Sequence, residues 1–218
     1  MKIVTGKAQD QYWKRVGYRE SNHAVARAFA LPKLDYIAHL INFSDARVLD
    51  VGCGNGVFTS LFSEISPFVV GLDYSEHMLR SNSVRVLLRG KGEGLPLKDG
   101  SFDVVFVSNL LHHSANPRII VGEMARVSRR YIVLLEPNWL NPLMFLFSVV
   151  VREERGGLRS SKVFLTRLLR ENGCRVIRCS AMGMISQNNT PQFLLPLLKR
   201  FDREIFWGEY LVAVAEKA

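Results

Sequence analysis

From Arg47 onward, short apolar runs alternate with stretches in which apolar residues recur every three or four positions. Apolar runs bounded by turn residues read as strands buried on both faces, and the alternation predicts a parallel α/β sheet. The runs fall near 47–51, 68–73, 84–89, 102–108, 131–136, 175–180 and 210–215. Helices are expected between them. One runs over 57–65 and stops before Pro67. Ser75 caps the next, with Met78 and Leu79 inward. Pro117 opens a third over 117–127. In 160–171, Val163, Phe164, Leu165, Leu168 and Leu169 follow helical spacing and Gly173 supplies the stop.

Two segments lie outside this alternation. Residues 1–45 read as helical, with aromatics Tyr12, Trp13, Tyr18, Phe29 and Tyr36, and residues 181–206 form an insertion before the last strand. No repeat or linker marks a second domain. The expectation is one domain over 1–218: a helical segment 1–45, a core 46–180, the insertion 181–206 and a last strand 207–218. In open α/β sheets ligands sit beyond the carboxyl ends of the strands, where both extra segments can close as a lid.

The longest apolar stretch, residues 139–151, is too short for a bilayer span of about 20 residues. It reads as a buried helix or a lid, with an interfacial segment as the alternative. No apolar core follows Met1 that would mark a secretory leader.

The 48% hydrophobic and 22% charged fractions are those of a globular protein and exclude a disordered chain. The net charge of +9 leaves RNA, an acidic lipid surface and plain solubility open. The arginines from Arg126 to Arg178 are spaced like solvated helix faces, and no RNA-binding aromatic signature is present, so nucleic acid is not favoured. Cys53, Cys174 and Cys179 form no CxxC pair. That fits a reducing, cytoplasmic setting and offers no zinc site.

The chemistry begins at Arg47-Val-Leu-Asp-Val-Gly-Cys-Gly-Asn-Gly56. A buried strand ends near an acid, Asp50, and feeds a loop with glycines at 52, 54 and 56. A dinucleotide fingerprint, G-x-G-x-x-G, needs glycine at position 57, which is Val57. An acid there repels a phosphate and suits an ammonium group. This D-x-G-x-G-x-G pattern resembles the first motif of class I S-adenosylmethionine-dependent methyltransferases. The resemblance implies a Rossmann-like, doubly wound, seven-stranded sheet, mostly parallel with an antiparallel last strand. It also implies S-adenosylmethionine as cofactor, with Gly52, Cys53, Gly54, Asn55 and Gly56 against its methionine part and Asp50 near its ammonium.

Four further matches follow at strand ends. Asp73, in Val-Val-Gly-Leu-Asp-Tyr-Ser, can accept both ribose hydroxyls, and Tyr74 can touch ribose or adenine. Gly92-Glu-Gly-Leu-Pro resembles the segment bordering the adenine, but the usual Asp-Ala pair is replaced by Lys91-Gly92, leaving Gly92 and Glu93 to supply that contact. In Ser108-Asn-Leu-Leu-His-His113, Asn109 is a cofactor contact by resemblance. His113, or His112, can act as general base, or the pair can merely orient the loop. Last, Glu136-Pro-Asn138 follows a strand whose usual preceding Pro-Gly-Gly turn is replaced by Ser128-Arg-Arg. There Glu136 and Asn138 face the substrate or cap the structure.

These motifs are similar to those of the small-molecule branch typified by ubiquinone/menaquinone-biosynthesis methyltransferases. The expected activity is methyl transfer to a small, apolar or aromatic acceptor, with no metal required. Alternatives are an RNA or protein methyltransferase that uses the basic surface, and a non-catalytic cofactor-binding module. A nicotinamide oxidoreductase is opposed by Asp50 and Val57.

Overall fold

The computed structural model describes residues 11, 14, 15 and 17–218. Residues 1–10, Tyr12, Trp13 and Val16 lie outside them. Strands β1 (Arg47–Val51), β2 (Phe68–Asp73), β3 (Leu87–Arg89), β4 (Phe102–Ser108), β5 (Ser128–Pro137), β6 (Cys174–Met182) and β7 (Tyr210–Lys217) make one sheet. Its order is 3-2-1-4-5-7-6. The first five strands are parallel, and β7 runs antiparallel to both β5 and β6. This is the expected doubly wound, Rossmann-like sheet. The chain reverses its winding between β1 and β4, so a crevice opens beyond their carboxyl ends.

Alternation along each strand splits the core in two. Val48, Phe106 and Val212 face helices α1 (Ala24–Ala38) and α2 (Val57–Ile65), packing on Phe29, Phe58 and Phe62. Leu49, Val105 and Ala213 face the other side. There Met124 of α4 (Pro117–Val127) and Leu165 of α6 (Lys162–Glu171) cover them. The Ser75 cap holds: its hydroxyl accepts the Met78 amide and opens the short helix α3 (Glu76–Arg80).

Three expectations shift. Strand β3 is shorter than 84–89, because Asn82 turns the chain by accepting the Val84 amide. The missing Pro-Gly-Gly turn is not replaced by another loop; α4 runs directly into β5 at Ser128. Part of the insertion lies in the core and not over the crevice. Ile185 and Leu195 pack in the core against α1. A fully buried ion pair, Lys33 Nζ to Asp202 Oδ1 at 2.9 Å, ties the insertion to that helix.

Candidate active site

The β1–α2 loop is shaped by its glycines. Gly52, Gly54 and Gly56 all hold positive φ, at 72°, 54° and 87°. The residues do different jobs. A side chain at Gly54 would meet open space, whereas at Gly56 it would strike the Asn82 side chain at 2.3 Å. Gly52, Cys53, Gly54 and Asn55 line a cavity of about 570 Å³; Gly56 does not, and serves the turn into α2.

Asp50, Asp73, Tyr74, Gly92, Glu93, Asn109, His112 and His113 also line this cavity, so strand ends distant in sequence converge on one crevice. Asp73 accepts the amides of Gly54 at 2.9 Å and Ser75 at 2.7 Å, binding the glycine loop to the end of β2. Asp50 is buried and accepts the Thr59 hydroxyl at 2.7 Å. Burial lifts its carboxyl to about 7, against the Thr59 hydrogen bond and with a smaller push from Asp73. Burial also pushes the Cys53 thiol up, so it is no nucleophile. Lys91 Nζ stands 5.3 Å over the Tyr74 ring. Glu93 is a rim residue whose carboxylate accepts the Ser114 hydroxyl at 3.1 Å.

Asn109 holds φ at 53°, the one non-glycine residue with positive φ among the described residues. This strained backbone sits where β4 leaves the sheet and turns into the cavity wall. The next turn, Leu111–His113, is organised by Glu136. One carboxylate oxygen accepts the amides of Leu110 at 3.0 Å and Leu111 at 2.8 Å. The other accepts the His112 amide at 3.2 Å and lies 2.6 Å from His112 Nδ1. Glu136 is fully buried and is absent from the cavity wall. Asn138 is buried too, bonded to the backbone of Gly208 and Leu140. Of the two expected roles, facing the substrate or capping the structure, these contacts are of the second kind: Glu136 caps the histidine turn and Asn138 anchors the chain leading into β7.

The two histidines are driven apart. Burial alone would lower the His112 pKa, but Glu136 and Glu154 outweigh it and raise it to about 9. His112 is an imidazolium, with Nε2 lying 3.2 Å from Glu154 Oε2. Burial, then the charge on His112, holds His113 down to about 4, with ring centroids 3.9 Å apart. His112, His113 and Glu154 each bring a donor atom within 4.8 Å of the others, which sequence reasoning did not foresee. Both ring nitrogens of His112 already meet carboxylates, Nδ1 on Glu136 and Nε2 on Glu154, so the cluster is held together as a hydrogen-bonded network.

Sequence reasoning missed Glu154 and the Arg19 contacts of the strap across the crevice, where segments 1–45 and 181–206 are expected to meet. Gly156 was the available signal for Glu154: a side chain there would overlap the His112 carbonyl at 1.6 Å, so only glycine lets residues 152–159 press on the histidine turn. The strap is Gly17-Tyr18-Arg19. Arg19 donates to the carbonyls of Gln187 at 3.0 Å and Thr190 at 2.8 Å, and Asn55 Nδ2 donates to the Arg19 carbonyl at 2.6 Å. Gly17, Tyr18 and residues 186–189 complete the wall.

A family model described as a methyltransferase domain matches residues 49–132. These hold β1, the glycine loop, Asp73, Asn109 and both histidines. Residues 49–132 of this chain thus carry a methyltransferase domain, in keeping with the class I S-adenosylmethionine-dependent motifs that it resembles. An uncharacterised chloroplastic methyltransferase of Arabidopsis thaliana is 27% identical over 212 residues, covering 89% of this chain and 56% of that protein. A ubiquinone biosynthesis O-methyltransferase of Dechloromonas aromatica is 31% identical, over 56% of each chain. A demethylmenaquinone methyltransferase of Corynebacterium urealyticum is 33% identical, over 49% of this chain and 47% of its own. This chain thus spans about half the length of the curated relatives it matches. The fold matches a solved methyltransferase of Thermotoga maritima with a TM-score of 0.69 at 18% identity, covering 96% and 95% of the two chains. The magnesium protoporphyrin IX methyltransferase of Synechocystis, solved with bound S-adenosylmethionine, matches with a TM-score of 0.60 at 15% identity, over 98% of this chain and 93% of its own.

The crevice of the methyltransferase domain fits that cofactor. Its floor carries two acids, Asp50 and Asp73, where a dinucleotide site needs a phosphate-binding nest. Its volume lies within the usual range for ligand pockets, about 300–1,000 Å³.

Proposed function

We propose that this chain transfers the methyl group of S-adenosylmethionine to a nucleophile on a small, apolar or aromatic acceptor. The bound cofactor supplies a methyl group already activated on sulfonium sulfur. Asp73 would hold the ribose, Tyr74 and Gly92 the adenine, Gly52–Asn55 the methionine part and Asp50 the ammonium. Asn109 completes the cofactor end.

The observation that carries the acceptor reading is the composition of the rest of the wall. Beyond the histidines the cavity is bounded by Pro137, Met144, Phe147 and Tyr210, with Ser148, Glu154 and residues 186–189 as its polar part. An apolar or ring-shaped acceptor suits such a wall better than a phosphate-bearing one. The relatives named for ubiquinone and menaquinone biosynthesis support a quinone-like ring.

His113 is neutral at physiological pH and stands beside these side chains. It is a weak base, suited to an acceptor whose proton is already acidic. Burial and then the charge on His112 keep His113 neutral, and Glu136 holds His112, so His112 and Glu136 act as positioning residues. The strap and the 186–189 loop exclude water and align the reactants.

The test is a transfer assay with methyl-labelled cofactor and separate quinol, phenol, RNA and protein acceptors. Label in the quinol or phenol fraction supports the reading, and label confined to RNA or protein overturns it.

A further inference from the structure

Residues 139–151, expected as a buried helix or a lid with an interfacial segment as the alternative, do not form a core helix. Helix α5 (Pro142–Val150) buries only Met144 and Ser148, and Phe147 is half-buried on the cavity wall. Its outer face, Leu143, Phe145, Leu146, Val149 and Val150, is in solvent, with Val150 70% exposed. A helix apolar all round is ordinarily covered on every side. From Trp139 through Val151 there is no charged residue.

The patch continues beyond the helix. Asn141 Nδ2 donates to the Trp207 carbonyl at 2.7 Å, fixing the segment before β7 against the start of α5. There Phe206 is 83% exposed and Trp207 61%. The indoles of Trp139 and Trp207 thus accompany the aliphatic face, and such rings favour a membrane–water interface. Arg152 and Arg155, both exposed, follow the helix at once. The acids nearby are paired: Glu153 with Arg15 at 3.9 Å, Glu154 with His112, and Glu204 with Arg178 and Ser180.

We propose that the α5 face, with Phe206 and Trp207, docks on an anionic lipid bilayer as an interfacial helix. Among the described residues no helix is long and apolar enough to cross a membrane. The contact is therefore one of insertion to the headgroup–acyl boundary. Charge decides for anionic lipid over a second copy. The chain carries a net +9, and a two-fold contact on this face would set the arginines flanking α5 against their own copies. Because α5 turns Met144 and Phe147 into the cavity, a docked chain has its acceptor site beside the bilayer. That consequence alone rests on the acceptor reading above.

The experiment is co-sedimentation of the full chain with phosphatidylcholine vesicles and with phosphatidylcholine–phosphatidylglycerol vesicles, read without methyl transfer. The wild type should pellet with the anionic vesicles. Leu143→Asp combined with Leu146→Asp should lower partitioning at least ten-fold while leaving S-adenosylmethionine affinity and thermal midpoint near wild type. Arg152→Gln and Arg155→Gln should each weaken anionic-vesicle binding about five-fold and leave neutral-vesicle binding unchanged. Val163→Asp, at an exposed apolar residue on α6, should have no effect. A folded wild type that stays in the supernatant overturns the proposal. So does equal partitioning of the double variant, or a concentration-dependent dimer that the double variant abolishes without vesicles.

Discussion

Glu136 Oε2 lies 2.6 Å from His112 Nδ1, and both groups are buried. A carboxylate at the end of one strand thus fixes the turn that ends its neighbour. We expect Glu136→Gln to lower stability by about 3–5 kcal/mol, the usual cost of leaving a buried charge without its partner. The sign follows from the raised His112 pKa. The pair's contribution is complete below about 6.5 and is lost as pH rises through about 9. Denaturant unfolding of wild type and variant between pH 6 and 10 should show the gap closing across that window. A constant gap would contradict the assignment.

If His113 is the base, its depressed pKa sets the acid limb of kcat near pH 4 rather than near 6.5. His113→Ala should reduce kcat by about 10²–10⁴-fold and spare cofactor affinity. His112→Gln removes the neighbouring positive charge and should move the acid limb upward. A limb that stays in place in that variant removes His113 from the proton path.

Asp50 gives the cofactor end its own pH signature. Its carboxyl titrates at about 7 in the free protein, and an ammonium partner favours the ionised form. Affinity for S-adenosylmethionine should therefore rise with pH through about 7, with proton release, as read by calorimetry in buffers of different ionisation enthalpy. Asp50→Asn should flatten this dependence. A flat wild-type profile would place the ammonium elsewhere.

Much of this was legible in the sequence, for a physical reason. Strand ends and turn glycines are local: Gly52, Gly54, Asp73 and Asn109 sit within or beside the apolar runs that fix their position. What escaped is contact at long range. Nothing near Glu136 tells that its oxygens are used on residues 110–112, or that Glu154 reaches His112 across 42 positions. Likewise residues 139–151 promise burial by composition, yet hydropathy does not say which face finds a partner.

Arg19 is a second long-range feature, joining the strap to the 186–190 loop. Arg19→Ala should loosen both segments. We expect faster hydrogen exchange at residues 186–190, weaker cofactor binding by about ten-fold and an intact fold. Unchanged exchange would show that the strap does not depend on this side chain.

The most direct measurement of the central claim is calorimetric titration of wild type, Asp73→Ala and Gly54→Val with S-adenosylmethionine and with NAD. Wild type should bind S-adenosylmethionine and not NAD. Each variant should stay folded but lose binding, the first by removing the ribose acceptor and the second by forcing a β-branched residue to a φ of 54°. NAD binding by wild type, or full S-adenosylmethionine affinity in both variants, would contradict that claim.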